Sequence, residues 1–75
     1  MLFLIEYARS EGQIVSFTEF DYDDANLAAN ARLELELDLN RRGISREVVL
    51  LEAENEDALR RTHRRYFETL SELVS

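Results

Sequence analysis

Cysteine and proline are both absent from this 75-residue chain, and glycine occurs only twice. Without cysteine the chain has no disulfide framework, no thiolate ligand for zinc and no thiol nucleophile. A composition of 45% hydrophobic and 33% charged residues is typical of a compact globular domain and not of a disordered or collagen-like chain. We expect a single domain, since two would each be too small to fold unaided.

Long hydrophobic runs are also missing. The apolar residues 1–5 are too few for the core of a signal peptide and lack a basic lead. No run approaches the ~18 residues of a transmembrane helix. We therefore expect no membrane association, and we place the protein in the cytoplasm of a bacterium.

Lysine is absent too, so all nine basic residues are arginine, against sixteen acidic residues and a net charge of −7. Residues 1–40 contain nine acids and two arginines, whereas residues 41–75 contain seven of each. Acidity of this size makes binding to nucleic acid or to anionic membranes unfavourable.

Two strands are predicted at the start of the chain. Residues 2–8 form an apolar run of strand length, and residues 14–20 are rich in β-branched and aromatic side chains. Between them, residues 10–12 suit a tight hairpin loop in which Gly12 takes the left-handed conformation.

The next segment carries conflicting signals. Residues 32–39 alternate leucine with charged residues, which is the period of a strand. Residues 24–41 are nevertheless rich in Ala, Leu, Glu and Arg, lack β-branched residues, follow several aspartates and precede Gly43, all of which favour a helix. We predict one helix over 24–41. Helical spacing then leaves Leu33 and Leu37 on a second apolar flank, away from the stripe of Leu27, Ala28, Ala31, Leu35 and Leu39.

A third strand over 46–54 and a second helix complete the predicted order β-β-α-β-α. Asn55 is the predicted N-cap of that helix, and its predicted buried face comprises Leu59, Thr62, His63, Tyr66, Phe67, Leu70, Leu73 and Val74. Strand one is the most apolar and should be central. We predict an α+β fold with a three-stranded antiparallel sheet in the order 2-1-3 and both helices on one face, a split β-α-β arrangement corresponding to part of a ferredoxin-like fold.

The single histidine, His63, lies among four arginines in Arg60-Arg61-Thr62-His63-Arg64-Arg65. A neutral histidine is a general base, and with Tyr66 and a nearby arginine it would line a ligand or active-site pocket. The alternative is a histidine hydrogen-bonded at the edge of the core, which we favour. Arg60, Arg61, Arg64 and Arg65 form either a phosphate-binding face or a solvated face with ion pairs to Glu56, Asp57 and Glu68; we favour the ion pairs.

Two groups of acidic residues have side chains of the kind that metal sites and catalytic sites use. Asp21, Asp23 and Asp24 resemble a cation-binding run, but Asn26 stands where a calcium loop needs glycine, so we interpret them as helix caps. Glu6 and Glu52 would be a general acid and base if they were neighbours, and we interpret them as the wet rim of an apolar surface. No catalytic residue, metal site or cofactor is predicted.

Apolar residues on both faces of strands one and three provide the main indication of function. With both helices on one face, Leu2, Leu4, Val48 and Leu50 would be exposed on the other, and such patches mark protein interfaces. We therefore predict a non-enzymatic interaction or regulatory module that forms a homodimer through this sheet face, with Leu33 and Leu37 as the alternative surface. A small-ligand binder or enzyme using His63 and Tyr66 is the second hypothesis, and nucleic-acid contact through the arginines is the third.

Overall fold

The computed structural model of the protein describes residues 1–67. Its elements in chain order are β1 (Leu2–Ala8), β2 (Gln13–Phe20), a 3-10 turn (Tyr22–Asp24), α1 (Ala25–Arg41), β3 (Glu47–Glu52), α2 (Glu56–Thr62) and a second 3-10 turn (Arg64–Tyr66). The three strands form one antiparallel sheet in the order β2-β1-β3. The predicted α+β class, strand order and central strand are confirmed.

The β1–β2 hairpin is closed by a turn over residues 9–12. Gly12 has a φ of 65°, as predicted, and its N–H donates to the carbonyl of Ala8 at 2.8 Å. The register then shifts between Glu6, opposite Ser16, and Tyr7, opposite Ile14. The shift leaves Val15 as the extra residue of a bulge in β2.

Helix α1 forms across the alternating leucines, so the helix prediction is confirmed. The helix ends at Arg41, and Gly43, whose φ is 65°, follows its C-cap. The N–H of Ile44 donates to the carbonyl of Leu39 at 2.9 Å, a hydrogen bond that closes helix ends at glycine. The prediction that the aspartates cap the helix with their side chains is wrong for the described residues 21–25. Those residues instead make a 3-10 turn, in which the N–H of Asp24 donates to the carbonyl of Asp21 at 3.0 Å.

The helices lie on opposite faces of the sheet, so the prediction of one shared face is wrong. On the core face, Phe3 and Ile5 pack against Leu59 and Tyr66. On the opposite face, α1 packs on β1 and β3 and borders Val48 and Leu50 in shared grooves. The physical reason is that β1 and β3 are apolar on both faces, and each face needs cover.

Helix α2 is much shorter than predicted. The Asn55 cap is confirmed, since its side chain accepts from the N–H of Ala58 at 2.8 Å. The helix ends after Thr62, whose hydroxyl donates back to the carbonyl of Ala58 at 3.0 Å, and His63 leaves helical geometry with φ −124° and ψ 51°. The predicted buried positions Leu70, Leu73 and Val74 lie outside the described residues.

Candidate functional site

The outward side of α1 carries two half-exposed leucines. Leu33 is 55% exposed and Leu37 is 53% exposed. At about 100° per residue, both lie across the helix from Ala28 and Leu39, which are buried. The predicted second apolar flank therefore exists on the surface of the described chain.

A groove joins this flank to the sheet. Leu33 and Ala29 of α1 face Leu50 of β3 across a space of about 220 Å³, which Arg32 and Glu36 also line. A second groove of about 240 Å³ continues along α1 to Val48. We call Ala29, Leu33, Leu37 and Leu50 the α1–β3 surface.

The predicted sheet-face interface does not exist in the form expected. Leu4 is only 6% exposed, and Leu2, Val48 and Leu50 are half-buried. The prediction of an open sheet face is wrong because α1 covers it. What remains accessible of this face is its β3 side, where Leu50 meets Leu33.

The charges around α1 are balanced. Residues 25–42 contain three arginines and three acids, so the net charge of −7 comes from the rest of the chain. Arg32 pairs with Glu36 at 3.0 Å, and Arg42 pairs with Asp38 at 2.9 Å. An acidic chain can therefore approach a second copy here without a local excess of like charge.

A cluster around Glu47 joins three distant segments. Arg9, just after β1, donates to Oε1 of Glu47 through Nη2 at 2.6 Å and Nε at 2.8 Å. Arg65 donates to Oε2 at 2.5 Å, and the hydroxyl of Tyr66 donates to the same oxygen. The hydrogen bonds from Tyr66 and Arg65 lower the pKa of Glu47 to about 2. A carboxylate held ionised by three donor residues fixes the 3-10 turn after α2 to the sheet and is not a proton acceptor at neutral pH.

Tyr66 belongs to this structural cluster. Its ring packs edge-on against Tyr7 with centroids 5.1 Å apart, and the guanidinium of Arg65 lies 4.6 Å above it. Burial and the hydrogen bond to Glu47 raise the pKa of Tyr66. His63 is half-buried, with its ring centroid 6.5 Å from that of Tyr66. The structure thus brings together three of the residues predicted for a ligand pocket, but it commits Tyr66 and Arg65 to Glu47.

The other three arginines of the predicted basic face are on the surface. Arg60 pairs with Glu56 at 3.2 Å, as predicted, and lies 4.6 Å above the ring of Phe67. Arg61 donates to the backbone carbonyl of Asp57 at 3.4 Å and not to its carboxylate. The partner predicted for Arg64, Glu68, lies outside the described residues. The four arginines therefore do not form one uniform basic face.

Glu6 and Glu52 are not neighbours. Glu6 lies opposite Val48 and Glu52 lies opposite Leu2, so the two are about 13 Å apart along the sheet. Glu6 is 6% exposed and accepts from Arg46 at 2.6 Å and from Ser16 at 3.3 Å. Sequence reasoning missed Arg46, although strand alternation from Val48 places it on the same face as Glu6.

The acidic end of the sheet has no metal-binding arrangement. Asp21, Tyr22, Asp23 and Glu54 line an open groove of about 390 Å³ with Met1. A hydrogen bond to Glu52 raises the pKa of the Tyr22 hydroxyl. Among residues 1–67, no three histidine or acidic side chains converge as metal ligands would.

No protein-family model, curated protein or solved structure matches this chain. In the described part of the chain, none of the helices has the length and apolar character needed to cross a membrane.

The Glu47 cluster predicts a specific acid sensitivity. Because the pKa of Glu47 falls from 4.5 to about 2 on folding, its contribution to stability is complete above about pH 4.5 and is lost as the pH falls towards 2. We expect a loss of about 1–2 kcal/mol, since both arginines are largely solvent-exposed and their pairing is screened. Urea unfolding between about pH 6 and about pH 2.5 measures it.

The control for this prediction is Glu47→Gln, which keeps the size of the side chain and cannot titrate. Wild type should be more stable than Glu47→Gln at neutral pH, and the two should converge as the pH falls towards 2. A difference in the free energy of unfolding between wild type and Glu47→Gln that does not change with pH would contradict a stabilising role for the ionised carboxylate.

Proposed function

We propose that this protein is a non-enzymatic interaction module that self-associates through the α1–β3 surface, in the cytoplasm of a bacterium. The observation that carries the proposal is the pair of half-exposed leucines, Leu33 and Leu37, on the outward side of the longest helix. Leu33 also lines a groove with Leu50, which extends the apolar area onto the sheet. Contiguous apolar surface of this kind marks protein interfaces.

A second copy of the chain is the partner that the charges favour. The balance of arginine and acid over residues 25–42 offers both signs to an identical surface. A two-fold arrangement then lets one surface serve both subunits. A strongly basic partner would instead be attracted to the acidic end near Tyr22, where few leucines are available.

The leucines alone support only a weak dimer. Burying the exposed parts of Leu33, Leu37 and Leu50 from each subunit would contribute roughly 5 kcal/mol. Association costs an estimated ~4–15 kcal/mol, so a stable dimer needs contacts beyond these side chains. With such further contacts, we expect a dissociation constant in the micromolar range.

The other two functions have less support. A ligand site at His63 and Tyr66 would need the Tyr66 hydroxyl, which donates to Glu47. Nucleic-acid binding would need a continuous basic face, whereas Arg65 and Arg60 are paired with Glu47 and Glu56. The net charge of −7 also opposes binding to a polyanion.

Self-association is tested by light scattering on the purified chain. At ~100 μM, above the expected dissociation constant, the mass should approach that of two chains, and at ~1 μM it should approach that of one. Leu33→Glu and Leu37→Glu should each keep the chain monomeric at the higher concentration, because each places a charge inside the apolar contact.

Leu27→Glu is the matched control. Leu27 is 58% exposed on the same helix, but it is turned by about 100° from the Leu33–Leu37 flank. Its replacement should leave the dimer intact. A wild-type chain that stays monomeric at ~100 μM would overturn the proposal.

A further inference from the structure

The free edge of β3 offers backbone hydrogen-bonding groups at regular spacing. The N–H of Ala53 donates to the carbonyl of Met1 at 3.1 Å. Hydrogen-bonded pairs alternate along an antiparallel ladder, so the odd-numbered residues of β3 direct their N–H and C=O groups towards β1. The even-numbered residues Val48, Leu50 and Glu52 therefore direct theirs away from the sheet.

The two edges of the sheet differ in how well they are protected. The edge strand β2 has a bulge at Val15 and several polar residues, features that discourage pairing with another strand. Strand β3 pairs with β1 through six consecutive residue pairs. Between its terminal glutamates all four residues are apolar. Within residues 1–67 the sheet has three strands, so β3 has no neighbour on its outer side.

We propose that β3 of a second copy pairs antiparallel with this edge, on a two-fold axis through Val49, giving one continuous six-stranded sheet. The inference rests on the proposed self-association and adds the geometry of the contact. A two-fold axis perpendicular to the sheet keeps both α1 helices on the same face. The grooves between Leu33 and Leu50 then lie beside the axis on that face in both subunits.

The pattern of charged and apolar residues selects this register. With Val49 on the axis, Arg46 lies opposite the partner's Glu52, and Val48 lies opposite the partner's Leu50. Opposite charges and apolar residues are thus matched on the α1 face, as in stable cross-strand pairs. Sliding the axis to Leu50 would set Glu52 against the partner's Val48. All the even-numbered residues in the pairing have outward backbone groups, which the new ladder requires.

Amide hydrogen exchange of the unmodified chain distinguishes this geometry from other dimers. Val48 and Leu50 should exchange roughly tenfold or more slowly at ~100 μM than at ~1 μM, because only dimerisation satisfies their N–H groups. Val49 and Leu51, bonded to β1, are the internal control and should already be protected at ~1 μM. A dimeric mass without this change would overturn the edge pairing but leave the proposed function standing; a monomeric mass would overturn both.

The absence of cysteine allows a crosslinking test of the register. Across the axis, the two Val49 Cα atoms should be about 4.5 Å apart in a non-hydrogen-bonded pair, within the range that a disulfide spans. Val49→Cys should therefore convert from monomer to covalent dimer under mild oxidation. Val48→Cys makes the same substitution one residue away, where the two Cα atoms would be about 8 Å apart, and should stay uncrosslinked. Efficient crosslinking of Val48→Cys but not Val49→Cys would overturn the register.

Discussion

Leu59→Ala should lower the free energy of unfolding by about 2–5 kcal/mol. Leu59 is fully buried and packs with Phe3, Ile5 and Tyr66. Helix α2 has only seven residues, too few to be stable without tertiary packing, and Leu59 is its buried residue. Truncation therefore removes the main apolar contact between α2 and the sheet.

Urea unfolding at ~1 μM, where the chain is expected to be monomeric, measures this loss. A domain of this size has a stability on the order of 4–11 kcal/mol, so the variant should be partly unfolded at elevated temperature. Leu33→Ala is the control: it removes the same atoms from a helix at a half-exposed position, and we expect a change of about 0.5 kcal/mol or less. If Leu59→Ala and Leu33→Ala lowered the free energy of unfolding equally, the packing of Leu59 would not be the main contact that stabilises α2 on the sheet.

Local signals predicted the elements well because their causes lie within a few residues. Gly12 permits the hairpin turn, Asn55 caps α2 through Ala58, and helix propensity over residues 25–41 outweighs the alternation of leucines. The alternation remains visible only as the exposed flank of Leu33 and Leu37, which the helical spacing had already separated from the buried stripe.

The assignment of helices to faces could not be predicted from the same signals. Each helix presents one apolar stripe and each face of β1 is apolar, so either helix can satisfy either face locally. The choice depends on where the chain crosses the sheet after β2 and after β3. One feature of the sequence does favour helices on both faces: Leu4 and Val48 are as apolar as Phe3, and a single layer of helices would leave them exposed.

The contacts at the candidate sites could not be predicted from the sequence for a similar reason. Glu47 gathers partners from positions 9, 65 and 66, and no local pattern connects these segments. Because α2 ends at Thr62, the chain turns so that the ring of Tyr66 packs in the core while its hydroxyl reaches Glu47. Contacts between distant segments therefore determine whether His63 and its neighbours line a ligand pocket or take part in a structural hydrogen-bond cluster.

The buried pair of Glu6 and Arg46 should be the most costly polar contact to break. Glu6 is 6% exposed, and Arg46 donates to it at 2.6 Å beneath the edge of α1. Arg46→Met keeps most of the aliphatic stem but removes the compensating charge. We expect a loss of about 2–4 kcal/mol, because the carboxylate then stays buried with only the hydroxyl of Ser16 as donor.

A double substitution separates the cost of an unpaired charge from the value of the pair. In Glu6→Leu with Arg46→Met, apolar groups replace both partners, and most of the stability lost in Arg46→Met alone should return. Glu6→Leu alone should cost only about 1 kcal/mol, since the guanidinium of Arg46 is partly exposed and can turn to water. Urea unfolding at ~1 μM for the three variants gives the coupling energy without a contribution from dimerisation. If the double variant were as unstable as Arg46→Met, the ion pair itself would stabilise the fold, and its role would not be limited to neutralising a buried acid.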